Sequence, residues 1–154
     1  MSNKPDPRSL PCSPLHETAG LKYFARMTGK IRLHAQGLLW EELQANLGQG
    51  LDAACVAFLQ INYEDLRQQV LNGADDEALL VWCEANGRKF CDLTKRIWNH
   101  YVEKLGWNDL ISATLARRKE ESGLAHRLDI QTIAHYIDVD EGRLPWALPT
   151  QVDQ

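Results

Sequence analysis

GLKYFARMTGKIRLHAQG, at residues 20–37, decides how the rest of the chain is read. Wound at about 100° per residue, it places Leu21, Phe24, Ala25, Met27, Thr28, Ile31 and Ala35 in one broad sector, the arc that an amphipathic helix buries. Lys22, Arg26 and Lys30 recur at steps of four and form a basic ridge on the opposite side. Arg32 projects into the middle of the apolar sector. A guanidinium aimed at a core must meet a carboxylate, a run of carbonyls or an anionic ligand, because an unpaired buried charge is too costly. Asp138, Asp140 and Glu141 are the carboxylates expected to meet it. The alternative is snorkelling, in which the stem covers apolar surface and the head reaches water near the negative end of the helix dipole.

Working outward, Ser13-Pro14 reads as a helix entry, and Gly37 as the stop of a first helix that runs to about Gln36. Leu51–Leu59, LDAACVAFL, is apolar nearly all round and is expected to be the most buried element. Asn62 and Asp75 are caps for the next two helices, which end at Asn72-Gly73 and Gly87. A helix from Lys89 to Leu105 carries Phe90, Leu93, Ile97, Trp98 and Tyr101 on one face. Asn108 or Asp109 opens another, which ends at Gly123, and Asp129 caps a last one over residues 130–137. No segment alternates with a period of two. The pattern predicts an all-α, compact single-domain bundle of about seven to eight short helices without a β-sheet. Residues 1–14, with four prolines, are expected as a disordered leader, 15–143 as the helical domain, and 144–154 as a tail.

Composition narrows the function classes. At 154 residues, 44% hydrophobic and 25% charged, the chain suits one globular domain. No apolar run reaches the roughly 18 residues of a membrane helix, and the N-terminus has no signal-like apolar core. Cys12, Cys55, Cys83 and Cys91 are therefore expected reduced, in the cytoplasm. The net charge of −4 divides unevenly. Lys4, Arg8, Lys22, Arg26, Lys30 and Arg32 stand against only Asp6 and Glu17 in the first 40 residues. The mostly acidic remainder speaks against nucleic acid as a partner, since binding it takes a basic footprint.

Gly48-Gln49-Gly50-Leu51-Asp52-Ala53 spells the dinucleotide fingerprint, but a helical segment precedes it where a strand is required, so it reads as a turn between helices. Asp138-Val139-Asp140-Glu141-Gly142 is similar to a calcium loop, yet Pro149 stands where that loop needs its bidentate glutamate. No Glu-x-x-His occurs, the five histidines are scattered, and Cys83 and Cys91 are too widely spaced for a zinc pair. No metal and no cofactor are expected. His100, near the edge of its helix's apolar face, reads as a boundary histidine.

At SPLHETAGLKYFARMTGKIR and IDVDEGR the chain resembles a bacterial family known as domain of unknown function 5069. The likeness extends to the Ala74–Leu80 segment and covers about residues 13–143. The resemblance implies that the first helix and the acidic turn matter together, and it brings no activity, cofactor or catalytic residue.

Two functional readings follow. In the favoured one, Arg32, with Arg26 or Lys30, engages a small anionic ligand in a helical cavity. Trp98 and Tyr101 form its wall, Asp138 or Asp140 orients the cations, and Arg143 lies beside that acidic turn. In the alternative, the domain is a non-catalytic protein–protein interaction module that docks through its basic ridge or an aromatic surface. No membrane partner is expected, and the sequence allows a homo-oligomer without indicating one. A solid core with an exposed apolar patch would favour the second reading.

Overall fold

The computed structural model describes residues 4–147. Among them are eight α-helices: α1 (Phe24–Ala35), α2 (Glu41–Gln44), α3 (Leu51–Leu59), α4 (Tyr63–Leu71), α5 (Asp76–Asn86), α6 (Asp92–Lys104), α7 (Ser112–Glu121) and α8 (Ile133–Asp140). The helical reading holds, with one addition. Glu17–Thr18 (β1) and Leu21–Lys22 (β2) form a two-stranded antiparallel ladder, with Glu17 opposite Lys22 and Thr18 opposite Leu21. Where one domain is expected over 15–143, packing divides the chain into two compact units. Asp6–Val102 forms one, and among the described residues 4–5 and 103–147 form the other.

In the larger unit, local caps fall where the sequence puts them. The Asn62 side chain accepts the Asp65 amide and Asp75 accepts the Ala78 amide, each satisfying a donor that the first helical turn leaves open. The first helix differs. It begins at Phe24, ten residues beyond Pro14, because the preceding chain turns back at Ala19 and Gly20, both at positive φ. Four hydrogen bonds from α6 hold that hairpin. Lys95 Nζ donates to the Ala19 carbonyl at 2.9 Å and Asn99 Nδ2 to the Gly20 carbonyl at 2.8 Å. Asn99 Oδ1 accepts the Lys22 amide, and the Trp98 indole N–H donates to the Lys22 carbonyl, both at 2.9 Å. Partners so distant in sequence leave no local pattern to read.

The leader also differs from expectation. Asp6 caps a 3₁₀ helix at Pro7–Ser9, the Ser9 carbonyl accepts the Trp40 amide at 3.0 Å, and Pro11 is buried. Of the expected tail, residues 148–154 lie outside the described residues.

The core of this unit gathers Leu21, Phe24, Met27 and Ile31 with Cys55, Leu59, Leu66, Val70, Leu79, Cys83, Trp98 and Val102. Its central element is α1, which packs on α4, α5 and β1. Seven of the eight residues from Phe24 to Ile31 are buried, Arg26 and Lys30 included. This corrects the expected basic outer ridge. A helix with neighbours on several sides buries its polar face too. Conversely, α3 buries Asp52, Cys55 and Leu59 while Ala53 and Ala57 face water, so apolar composition overstated its burial. On α6, Leu93, Ile97 and Tyr101 are 53%, 58% and 43% exposed, and only Trp98 and Val102 of that helix are buried.

In the smaller unit α7 packs on α8. The cap of α8 is Thr132, which accepts the His135 amide at 3.2 Å, and the helix starts three residues later than expected. Asp129 is taken by Arg127 instead, with both carboxylate oxygens at 2.8 Å from the guanidinium. Arg127 also donates to the Pro145 and Trp146 carbonyls, and buried Lys119 Nζ donates to those of Arg127 and Ile130 at 2.6 and 3.0 Å. Two cations thus supply the hydrogen bonds that this irregular backbone lacks.

Two predictions follow from this packing. A Cβ on Gly87 would lie 2.2 Å from the Leu59 carbonyl oxygen, which accepts the Arg88 amide at 2.9 Å. Gly87→Ala must push the C-terminal ends of α3 and α5 apart and should cost roughly 3 kcal/mol or more by urea unfolding. The Arg127 hydrogen bonds lower the Asp129 pKa to about 2 from 3.8. A depressed carboxylate pKa adds stability above its unfolded value, and that stability is lost as pH falls through the folded one. Thermal midpoints should therefore drop between about pH 4 and pH 2, and Asp129→Asn should flatten that slope.

Candidate functional site

The interior of the larger unit holds a charged cluster at the start of α1. Lys30 Nζ lies 2.8 Å from Asp52 Oδ1 on α3. The Tyr23 hydroxyl donates to the same oxygen at 2.6 Å and accepts from Lys30 Nζ at 3.3 Å. Asp52 Oδ2 accepts the Gly48 amide at 3.0 Å. The glycine-rich turn therefore aims its N–H at the carboxylate of its own helix, as expected for an inter-helix turn. The Lys30 and Asp52 side chains are 4% and 0% exposed. Burial pushes the Tyr23 phenol well above its ordinary 10, and the Asp52 charge adds to this, so the ring stays neutral and donates. Tyr23 stands in the left-handed region at φ 73, a strain on the order of 1–3 kcal/mol that its burial and hydrogen bonds offset. Arg26, also buried, donates to the Cys12 carbonyl at 3.0 Å.

Arg32 leaves this cluster. Its Nη2 lies 2.8 Å from Asp76 Oδ1 and 3.1 Å from the Ala74 carbonyl, and its Nη1 lies 3.4 Å from Thr28 Oγ1, which itself donates to Asp76 at 2.7 Å. The side chain is 35% exposed. A carboxylate and a carbonyl meet the guanidinium as physics requires, but they come from the capped start of α5. Asp76 replaces Asp138, Asp140 and Glu141 as the expected partner.

The acidic turn closes α8. Arg143 Nη1 lies 2.5 Å from Glu141 Oε1 and 3.2 Å from Asp138 Oδ1, and its amide donates to the Asp138 carbonyl at 2.8 Å. Glu141 and Asp138 are buried and Asp140 is half-buried. Gly142, at φ 81, leaves room for Lys4, whose Cε would sit 2.6 Å from an added Cβ. Among the described residues no group of three His, Cys, Asp or Glu side chains is arranged to hold a metal ion.

Trp98 and Tyr101 meet in an aromatic cluster. Trp98 stacks on Phe58 at 4.9 Å and tilts against Tyr101 at 5.4 Å, and Phe58 also stacks on Phe90 at 6.1 Å. The Arg88 guanidinium covers the Phe58 ring at 4.9 Å. With its N–H spent on the Lys22 carbonyl, Trp98 serves as floor to this surface.

A family model for a domain of unknown function, DUF5069, matches residues 8–143. The chain belongs to that family. Its match ends at Arg143, the residue that ties the acidic turn, and starts inside the 3₁₀ helix. No curated protein matches the chain. No helix among the described residues of this DUF5069 chain is long and apolar enough to cross a membrane.

Of the residues singled out in the sequence, only Lys30 belongs to this buried cluster, and its partners Tyr23 and Asp52 were not singled out. One signal was available. Asp52 is the only charged residue in LDAACVAFL, the same kind of conflict that made Arg32 conspicuous. Breaking the buried pair from one side leaves Lys30 uncompensated, so Asp52→Asn should cost roughly 3–5 kcal/mol in chemical denaturation. Tyr23→Phe, which removes one donor from Asp52 and one acceptor from Lys30 while leaving the ion pair, should cost about 1–3 kcal/mol.

Proposed function

We propose that this DUF5069 domain is a non-catalytic interaction module that docks a protein through the outer face of α6. The observation that carries this reading is the row Leu93, Ile97 and Tyr101. These residues stand at steps of four on one helix, large and apolar, and about half exposed. The basic residues that favoured an anionic ligand are engaged inside the protein: Lys30 with Asp52 and Tyr23, Arg32 with Asp76, and Arg26 with the Cys12 carbonyl. A general acid, base or anion-binding group must reach its substrate, and these cations point at protein atoms. Four free cysteines, two of them fully buried, fit a reducing compartment such as the cytoplasm.

Replacing Ile97 with a photo-crosslinking phenylalanine analogue should give one discrete adduct in cells. The same analogue at Val81, 69% exposed on α5, should give none. Leu93→Glu should abolish the adduct while changing stability by less than about 0.5 kcal/mol, as at ordinary surface sites. No adduct at Ile97 would overturn the module reading. An anionic metabolite that raises the melting temperature of the wild type but not of Arg32→Met would restore the ligand reading.

A further inference from the structure

We infer that Asn72 is a site of spontaneous modification, where the chain's own backbone nitrogen converts the side-chain amide to a carboxylate with water as co-reactant. Asparagine followed by glycine occurs at Asn72-Gly73, after α4, and at Asn86-Gly87, after α5. In either pair the glycine nitrogen can attack the asparagine Cγ, because no Cβ on the glycine obstructs the approach. Both reacting groups belong to adjacent residues, so no bound reagent is needed. A new N–Cγ bond closes a five-membered succinimide, and the side-chain nitrogen leaves as ammonia with the proton that the backbone N–H gives up. Water then opens the ring. Breaking the new N–Cγ bond gives aspartate, and breaking the original peptide C–N bond gives isoaspartate, whose main chain runs through Cγ. Water enters, ammonia leaves, and nothing is oxidised or reduced.

Local structure separates the two pairs. Asn72 and Gly73 are both exposed, and a Cβ added to Gly73 would meet nothing within 4 Å. Asn72 stands at φ −73 and ψ −5, so rotation about its Cα–C bond must carry the Gly73 nitrogen toward Cγ. That rotation breaks the hydrogen bond from the Gly73 amide to the Val70 carbonyl at 3.0 Å, and Gly73 can absorb it in its own dihedrals. Asn86 is held more firmly. Its Nδ2 donates to the Trp82 carbonyl at 2.9 Å, and the Gly87 amide donates to the Cys83 carbonyl at 2.7 Å. Gly87 is also packed on the Leu59 carbonyl oxygen, 2.2 Å from where its Cβ would stand, which blocks the swing.

The product at Asn72 falls in a connector that carries other contacts. A carboxylate at the C-terminal cap of α4 meets the negative end of the helix dipole. Isoaspartate lengthens the main chain just before Ala74, whose carbonyl accepts from Arg32 Nη2 at 3.1 Å, and before the Asp75 cap of α5. Conversion therefore loosens the link between α1 and α5.

The test incubates the full chain at neutral pH in heavy-oxygen water and reads each asparagine by peptide mapping, with isoaspartyl methyltransferase reporting isoaspartate. In the folded protein position 72 should take up heavy oxygen at least about tenfold faster than position 86, which must also break its side-chain bond and displace packed backbone. In guanidinium chloride the two rates should converge, because the reacting pair is the same. The melting temperature of the wild type should fall with incubation. Asn72→Gln should hold its own, since glutamine must close a less favourable six-membered ring. Asn72→Asp, which brings the charge without the longer main chain, should start lower than the fresh wild type and change no further. Equal rates at the two positions in the folded protein overturn the site, as does an unlabelled position 72 while the unfolded chain converts. Conversion at position 72 with an unchanged melting temperature overturns the loosening.

Discussion

The larger unit is organised by a lysine that cannot reach water. Lys30 sits on the helix at the centre of the core, where an isolated ammonium is intolerable, so Asp52 must approach from α3 and Tyr23 must turn inward from the start of α1. Each requirement recruits another. Asp52 has a second oxygen to satisfy, and the Gly48 amide supplies its partner. Tyr23 reaches Asp52 from a left-handed backbone, which breaks the chain away from the helix direction and leads into the hairpin. A buried ion pair is a weak source of net stability compared with well-packed apolar groups of the same size. What it provides here is register: α1 and α3 can slide past each other only by separating two charges.

Most of the helical framework was legible in the sequence because it is written locally. Asn62 and Asp75 cap the helices they precede, Leu51–Leu59 matches the observed helix end for end, and Gly87 stops α5. What could not be read is fixed by partners distant in the chain. The hairpin at Glu17–Lys22 is held by side chains of α6, and the basic ridge of α1 is interior because other segments cover it. Periodicity reports which residues share a face; it does not report how many faces are covered. The same limit explains α6, where Leu93, Ile97 and Tyr101 were placed on one face with Trp98 and only Trp98 of the four is buried.

The candidate site was legible in a different sense. A charged residue where the pattern demands an apolar one marks a place where the fold must provide something specific, and Arg32 did find a carboxylate and a carbonyl. Identifying which carboxylate needed the structure, since Asp76 had a sufficient local explanation as a first-turn acid favoured by the helix dipole. One side chain meets both demands, on its own helix and across to α1.

The hairpin clasp has a kinetic consequence. Lys22 and Asn99 are 77 positions apart, and Asn99 and Gly20 are 79 apart. A two-residue ladder has too few bonds of its own to persist, so β1 and β2 can acquire their pairing only after α6 has formed and been brought back across the intervening helices. The bend that precedes α1 then belongs to the last events of folding, although it stands well before α6 in the chain. Opening of the native unit should run in reverse, with amides of the hairpin exchanging with solvent ahead of those in the central helix.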